Sequence, residues 1–224
     1  MFPATTNSTA YSGLEIGVAI LAKAPLPGLA KTRLIPRLGA EGAANLQRWL
    51  LRSTVLTALK AGVGPVTLWC APDTRHPDFE ACRAYGPLLL RQQPAGDLGE
   101  RMHAAIAGSP SSMGCLVIGT DCPMLTPGYL KHAAETLSQK DAVLAPAEDG
   151  GYVLIGLRRS HPSVFSQIDW GSDRVMRQTR LRFELQGWIW EKLETLWDID
   201  RPEDYERLLD TYPEIDVLAS GGKT

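Results

Sequence analysis

The chain has 224 residues, of which 44% are hydrophobic and 21% charged, and its formal net charge is -2. That length and balance suit one large α/β-sized domain with a substantial core. No broad basic field is present for a nucleic acid, and no apolar run approaches the roughly twenty residues of a membrane-spanning helix, so neither partner is expected.

Residues 1–12 carry no cation and no apolar segment, so they are expected to be a flexible tail and not a signal peptide. A single domain is expected over 13–215, with a second flexible tail over 216–224. The terminal Gly-Gly-Lys-Thr has no strand before it and no helix after it, so it is not a phosphate-binding P-loop. Four cysteines, Cys70, Cys82, Cys115 and Cys122, form no C-x-x-C pair; packing roles and a reduced, cytoplasmic setting are expected.

Leu14 to Leu21 is continuously apolar and reads as a strand covered on both faces. The loop after it, Lys23-Ala-Pro-Leu-Pro-Gly-Leu-Ala-Lys-Thr-Arg33, holds three cations within eleven residues. A loop leaving the carboxyl end of a first parallel strand lies where open α/β sheets bind ligands. Pro25 and Pro27 lack N–H groups, so a bound polyphosphate would rely on side chains. Lys23, Lys31 and Arg33 are the candidates for that charge, with Gly28 turning the chain and Thr32 as an auxiliary donor.

Gly39 to Ala61 is predicted to be a helix whose Leu46, Trp49, Leu50, Leu56 and Leu59 face the sheet. Strands follow at 65–71 and 88–92, with a polar helix near 78–85 between them. Asp97 and Glu100 then form the acidic version of a capping box at the start of another helix. Arg101 is left on that first turn, opposed by the helix dipole, and is expected to find an anionic partner. Asp97 and Arg101 are therefore candidate ligand contacts.

The strand at 114–119 ends in Thr120-Asp121-Cys122-Pro123. An aspartate at the carboxyl end of a buried strand suits a hard cation, which takes one or two carboxylates together with substrate phosphates. The next helix, 126–138, already has Thr126 and Pro127 as its start signal, which leaves Asp121 free for that role. A strand at 142–145 leads into Glu148-Asp149-Gly150-Gly151, a hairpin turn whose backbone can approach a ligand closely. These four residues are candidate acceptor contacts, and Glu148 and Asp149 could instead supplement the metal. Trp170, in Trp-Gly-Ser before a helix from about 174, is a candidate stacking group, although packing explains it as well. A strand at 188–193 precedes Asp198-Ile-Asp200-Arg-Pro202. The two aspartates point the same way on extended chain, so either one can join Asp121 at a metal. Asp200 is equally explained as the start of the last helix.

Strands alternating with helices through residue 145 argue for a three-layer, Rossmann-like α/β fold with a mainly parallel sheet, and the denser pattern after it for a small antiparallel addition. No internal repeat is present.

Five ordered motifs, Lys-x-Pro-x-Pro-Gly-x-x-Lys-Thr-Arg-Leu at 23–34, Gly-Asp-Leu-Gly-Glu-Arg-Met at 96–102, Gly-Thr-Asp-Cys-Pro at 119–123, Ala-Glu-Asp-Gly-Gly-Tyr at 147–152 and Asp-Ile-Asp-x-Pro-Glu-Asp at 198–204, resemble one family. It is the bacterial GT-A-like family often labelled arsenosugar-biosynthesis-type glycosyltransferases. More distantly, the chain is similar to the 2-phospholactate and molybdenum-cofactor guanylyltransferases. The Gly-Gly-x-Ser loop of the latter is absent, and the Asp-x-Asp pair of metal-dependent GT-A enzymes is absent at 119–123, since Cys122 and Pro123 follow Asp121. The resemblance implies a nucleotide-diphospho-sugar transferase fold that holds a nucleotide on the first loop and Mg2+ on the aspartate of Asp-x-Pro.

The expectation from these readings is a Mg2+- or Mn2+-dependent nucleotidyltransferase or glycosyltransferase. Lys23, Lys31, Arg33 and Asp121 would act at the phosphates, with Asp121, Asp198 or Asp200 on the metal. Its partners would be a nucleotide or nucleotide sugar and a small-molecule acceptor. A module that senses a nucleotide without turning it over is the alternative.

Overall fold

The computed structural model describes residues 15–216. The tail expected over 1–12 and all but the first residue of that expected over 216–224 lie outside the described residues. β1 (Gly17–Lys23), β2 (Val66–Ala71), β3 (Leu89–Gln92), β4 (Cys115–Ile118), β5 (Ala142–Pro146), β6 (Tyr152–Leu157) and β7 (Trp190–Lys192) form a single sheet. Its order is β3-β2-β1-β4-β6-β5-β7. Every pairing is parallel except those of β6, which runs antiparallel to β4 on one side and β5 on the other.

This is the expected three-layer, mainly parallel α/β architecture with a small antiparallel addition. The addition is a single interior strand, β6, between β4 and β5. The turn between β5 and β6 is too short for a crossover, so the chain must return antiparallel beside β5. Val153 to Leu157 are all buried, and that apolar run lets the strand lie in the middle of the sheet, covered on both faces.

The helices are α1 (Ile35–Ala61), α2 (Pro77–Ala81), α3 (Leu98–Ala107), α4 (Pro127–Gln139), α5 (Val175–Leu185) and α6 (Pro202–Thr211). Side chains alternate across β1 with the two-residue period of a strand. Val18 and Ile20 meet Leu51, Val55 and Ala58 of α1 and Leu130, Ala134 and Leu137 of α4 on one face. Ala19 faces the other way, in the cluster that holds Met102 and Ile106 of α3 and Phe183 of α5.

In α1 the chain is non-helical at Gly39 (φ 71°, ψ 169°), so its regular part begins where the sequence placed the start. Its buried face is rotated from the expected stripe: Leu51, Thr54, Val55 and Ala58 are buried, while Leu56 and Leu59 are only half-buried. The rotation follows from a second neighbour. Leu46 and Leu50 join Trp197, Ile199, and Tyr205 and Leu208 of α6 in a third cluster. That cluster anchors the segment bearing Asp198 and Asp200.

Candidate active site

β1 and β4 are adjacent and parallel, so the loops that leave their carboxyl ends open onto one side of the sheet. After Lys23 the chain turns at Pro25–Ala30, where the N–H groups of Leu29 and Ala30 both donate to the Leu26 carbonyl at 3.0 Å. Gly28 sits at φ +79° with open space where a side chain would go, so its role is conformational. Lys31 also takes a left-handed conformation (φ 48°, ψ 46°), which costs a non-glycine residue on the order of 1 kcal/mol or more. Its side chain compensates by crossing the cleft. The ammonium lies 2.7 Å from Oδ1 of Asp121 and donates to the carbonyl of Ile199; the Lys31 side chain is 7% exposed and that of Asp121 52%.

β4 continues through Thr120, whose buried hydroxyl accepts from the Gln47 amide at 3.0 Å, to Asp121. Thr126 caps α4 by accepting from the Tyr129 N–H at 3.1 Å, so Asp121 has no capping duty. The N–H of Ile199 donates to the Asp121 carbonyl at 2.8 Å, which pins the 198–200 segment beside the end of β4. Asp198 consequently faces Asp121 and Asp149. Burial first, then the charges of Asp149 and Asp121, push its carboxyl up to about 6, with Lys31 acting in the opposite sense. Asp200 instead forms an ion pair with Arg33. It is not the cap of α6: the Asp204 carboxylate accepts from the N–H groups of Asp200 and Arg201 at 3.0 and 2.7 Å.

The opposite wall comes from α3. Asp97 and Glu100 form the expected capping box, each carboxylate accepting from the other's N–H at 2.8 Å. Arg101 lines the cleft, and its Nε is buried without a hydrogen-bond partner. Among the described residues it forms no ion pair. The cleft encloses about 580 Å³, bounded by Leu21, Leu29, Leu98, Met102, Tyr152 and Val153 between the polar groups.

Lys23, Lys31, Thr32, Arg33, Arg101, Asp121, Asp198 and Asp200 thus share one cleft. Other candidates stand elsewhere. Glu148 makes a two-point ion pair with Arg207 of α6, at 2.8 and 3.3 Å. Asp149 accepts from the Gly151 N–H at 2.9 Å, closing the hairpin turn while adding negative charge near Asp198. Gly150 has φ +91°, and a Cβ there would come within 2.6 Å of the Asp173 carbonyl oxygen, so its place is a backbone contact with the chain entering α5. Trp170 packs on the start of α3, where a Cβ on Gly99 would be 2.7 Å from its ring. All four cysteines are buried and unpaired, and burial pushes Cys122 up to about 12, which leaves it an inert thiol at neutral pH.

Two glutamines escaped the sequence reading. Gln93 donates to the carbonyls of Ala22 and Trp69 at 3.0 and 2.8 Å, tying β1 and β2 together at the cleft mouth. Gln47 was legible in principle, as a polar residue between the apolar Leu46 and Leu50 on a buried helix face; it is 4% exposed.

Among the described residues, no three His, Cys, Asp or Glu side chains are placed to hold a metal ion by themselves. The donors present fit a different arrangement. Asp121 and Asp198 offer hard oxygens, and the Lys31 ammonium already occupies a cation position on Asp121. Two carboxylates completed by phosphate oxygens and water is the usual protein contribution to a Mg2+ site.

Residues 54–172 match the family model described as "Uncharacterized protein conserved in bacteria (DUF2064)". The chain belongs to this family. No functionally curated protein sequence matches this DUF2064 chain. Among solved structures, it is similar to a protein from Desulfovibrio desulfuricans G20 assigned as a nucleotide-diphospho-sugar transferase, with 26% identity over 93% of this chain and 98% of that one and a TM-score of 0.80. A UDP-glucose pyrophosphorylase complexed with UDP-glucose shares the fold at 13% identity, with 90% and 99% of the chains covered and a TM-score of 0.57. So does the manganese complex of Rv0371C from Mycobacterium tuberculosis H37Rv, at 18% identity, 89% and 100% coverage and a TM-score of 0.52. The neighbours of the DUF2064 fold therefore include transferases of nucleotides and nucleotide sugars and a divalent-metal complex. No helix among the described residues is long and apolar enough to cross a membrane.

Proposed function

We propose that the chain is a metal-dependent transferase that binds a nucleoside triphosphate or nucleotide sugar in the cleft and transfers its nucleotidyl or glycosyl group to a small-molecule acceptor. The observation that carries this reading is the meeting, across one cleft, of the cationic loop with Asp121 and Asp198 at the carboxyl end of the sheet. Cations neutralise phosphate directly and carboxylates do so through a metal, and their meeting in one cleft suits the phosphates of a nucleoside triphosphate or nucleotide sugar. The solved relative assigned as a nucleotide-diphospho-sugar transferase supports it, as does the resemblance to the arsenosugar-type glycosyltransferases.

Asp121 and Asp198 would hold Mg2+ or Mn2+. The ion, when bound, neutralises and orients the nucleotide phosphates. Lys23, Lys31 and Arg33 stabilise the negative charge that builds on the departing pyrophosphate or nucleoside diphosphate. Thr32 adds a hydroxyl donor beside them. Arg101, with its unpartnered Nε, takes an anionic group from the other wall. Leu21, Leu98 and Met102 exclude water from the space between. The buried free thiols suit a cytoplasmic enzyme.

Product identity is the test. Supplied with a metabolite extract, a nucleotidyltransferase releases pyrophosphate from a triphosphate, whereas a glycosyltransferase releases a nucleoside diphosphate from a nucleotide sugar, and mass spectrometry separates the two. One of these products is expected, and Asp121→Asn is expected to abolish it while the variant remains folded. A panel of nucleotides and nucleotide sugars that neither turn over nor bind in the presence of Mg2+ would overturn the reading.

A further inference from the structure

We infer that Lys31 is a resident counter-ion that exchanges partners, pairing with Asp121 and passing to phosphate when a metal-nucleotide complex enters. The inference rests on the proposal above that Asp121 and Asp198 hold a divalent ion, and it adds an order of entry: metal arrives with the nucleotide, not before it.

Three observations support it. The ammonium is 2.7 Å from Asp121 Oδ1 although Lys31 belongs to the loop that offers phosphate contacts, so one cation serves two candidate sites. Its side chain is 7% exposed, and besides Asp121 it has the Ile199 carbonyl as acceptor, so two protein acceptors hold it in a defined place. The residue pays for that reach with a left-handed backbone (φ 48°, ψ 46°) that glycine or asparagine would adopt more readily. Like charge within a few ångström of a divalent ion weakens ion binding in partly solvated protein. Bare metal is therefore opposed by Lys31. A metal-nucleotide complex carries phosphate that accepts the displaced ammonium, and the same residue then favours binding.

The consequence is a change of sign that an ordinary phosphate-binding lysine does not produce. In Lys31→Met, Mn2+ alone, followed by loss of its free-ion electron paramagnetic resonance signal, is expected to bind about tenfold or more tightly than in the wild type. Mg2+-dependent nucleotide binding, measured by calorimetry over the same panel of nucleotides, is expected to weaken by about tenfold or more, the scale of a lost charge-assisted contact. Lys31→Arg retains the charge and is expected to show no gain in Mn2+ affinity. Lys31→Gln keeps a donor for the Ile199 carbonyl without the charge and should follow Lys31→Met, which answers the question if the methionine variant does not fold. Unchanged or weaker Mn2+ binding in the uncharged variants overturns the partner exchange even if nucleotide affinity falls. Tighter Mn2+ binding with no nucleotide bound by any form overturns the exchange together with the transferase reading and leaves only the Lys31–Asp121 ion pair.

Discussion

Arg101 concentrates the tension between stability and ligand binding in one side chain. Its Nε is buried and unpartnered, a condition that costs a fold on the order of 1–3 kcal/mol for a polar group with no compensation. Its position on the first turn of α3 adds an unfavourable dipole interaction. A methionine keeps most of the aliphatic stem and removes both penalties. Arg101→Met is accordingly expected to melt at the wild-type temperature or a few degrees above it, while nucleotide or acceptor affinity falls by about tenfold or more. Thermal melting and calorimetry on the same preparation check the opposite signs. A variant that melts lower and binds normally would make Arg101 a structural residue. Glu148 is the contrasting case. Its two-point ion pair with Arg207 is solvent-exposed, so Glu148→Gln is expected to change stability by less than about 1 kcal/mol.

Individual elements carry the site by how they begin and end. The capping box of α3 is complete, with both oxygen-to-nitrogen distances at 2.8 Å, so the Asp97 carboxylate has a full structural role of its own. Asp97→Ala is expected to cost about 1 kcal/mol and Asp97→Ser to recover most of it, followed by chemical denaturation. The β5–β6 hairpin behaves differently, because its turn is fixed by space. Any side chain at Gly150 would press on the Asp173 backbone at 2.6 Å and force a φ of +91° on a residue with a Cβ. Gly150→Ala is expected to cost about 2–4 kcal/mol and to loosen the approach of α5. The contrast shows what sequence conveys. The capping box, the Thr126 cap and the hairpin are local patterns and were legible, as were six of the seven strands, with β6 only implied by the hairpin turn before it, since each depends on neighbours within a few residues. The interior position of β6, the rotated face of α1 and the pairing of Glu148 with Arg207 depend on partners far along the chain, and no local pattern encodes them.

At the scale of the molecule, the cleft is assembled from segments about 170 residues apart that are joined by charge. Lys31 reaches Asp121 and the Ile199 carbonyl, and Arg33 pairs with Asp200, so the first loop and the strap before α6 are held together across the mouth of the site. The types of residue needed at such a place, cations in one motif and acids in two others, were visible in the sequence. Their mutual arrangement was not, because it requires the parallel neighbours β1 and β4 together with the third apolar cluster that anchors Ile199. That arrangement makes the ligand's effect global. A nucleotide that binds only the folded chain, present at about a hundred times its dissociation constant, stabilises the fold by roughly 2.7 kcal/mol. For a chain of this size each kilocalorie raises the melting temperature by about 2–4 °C, so a shift on the order of 5–10 °C is expected with Mg2+ and nucleotide together. EDTA is expected to remove most of the shift, and Asp121→Asn to show little of it while melting near the wild type in the absence of ligand. A shift that survives both EDTA and Asp121→Asn would mean that the cationic loop alone holds the nucleotide, and the carboxylates across the cleft would then serve only to position Lys31 and Arg33.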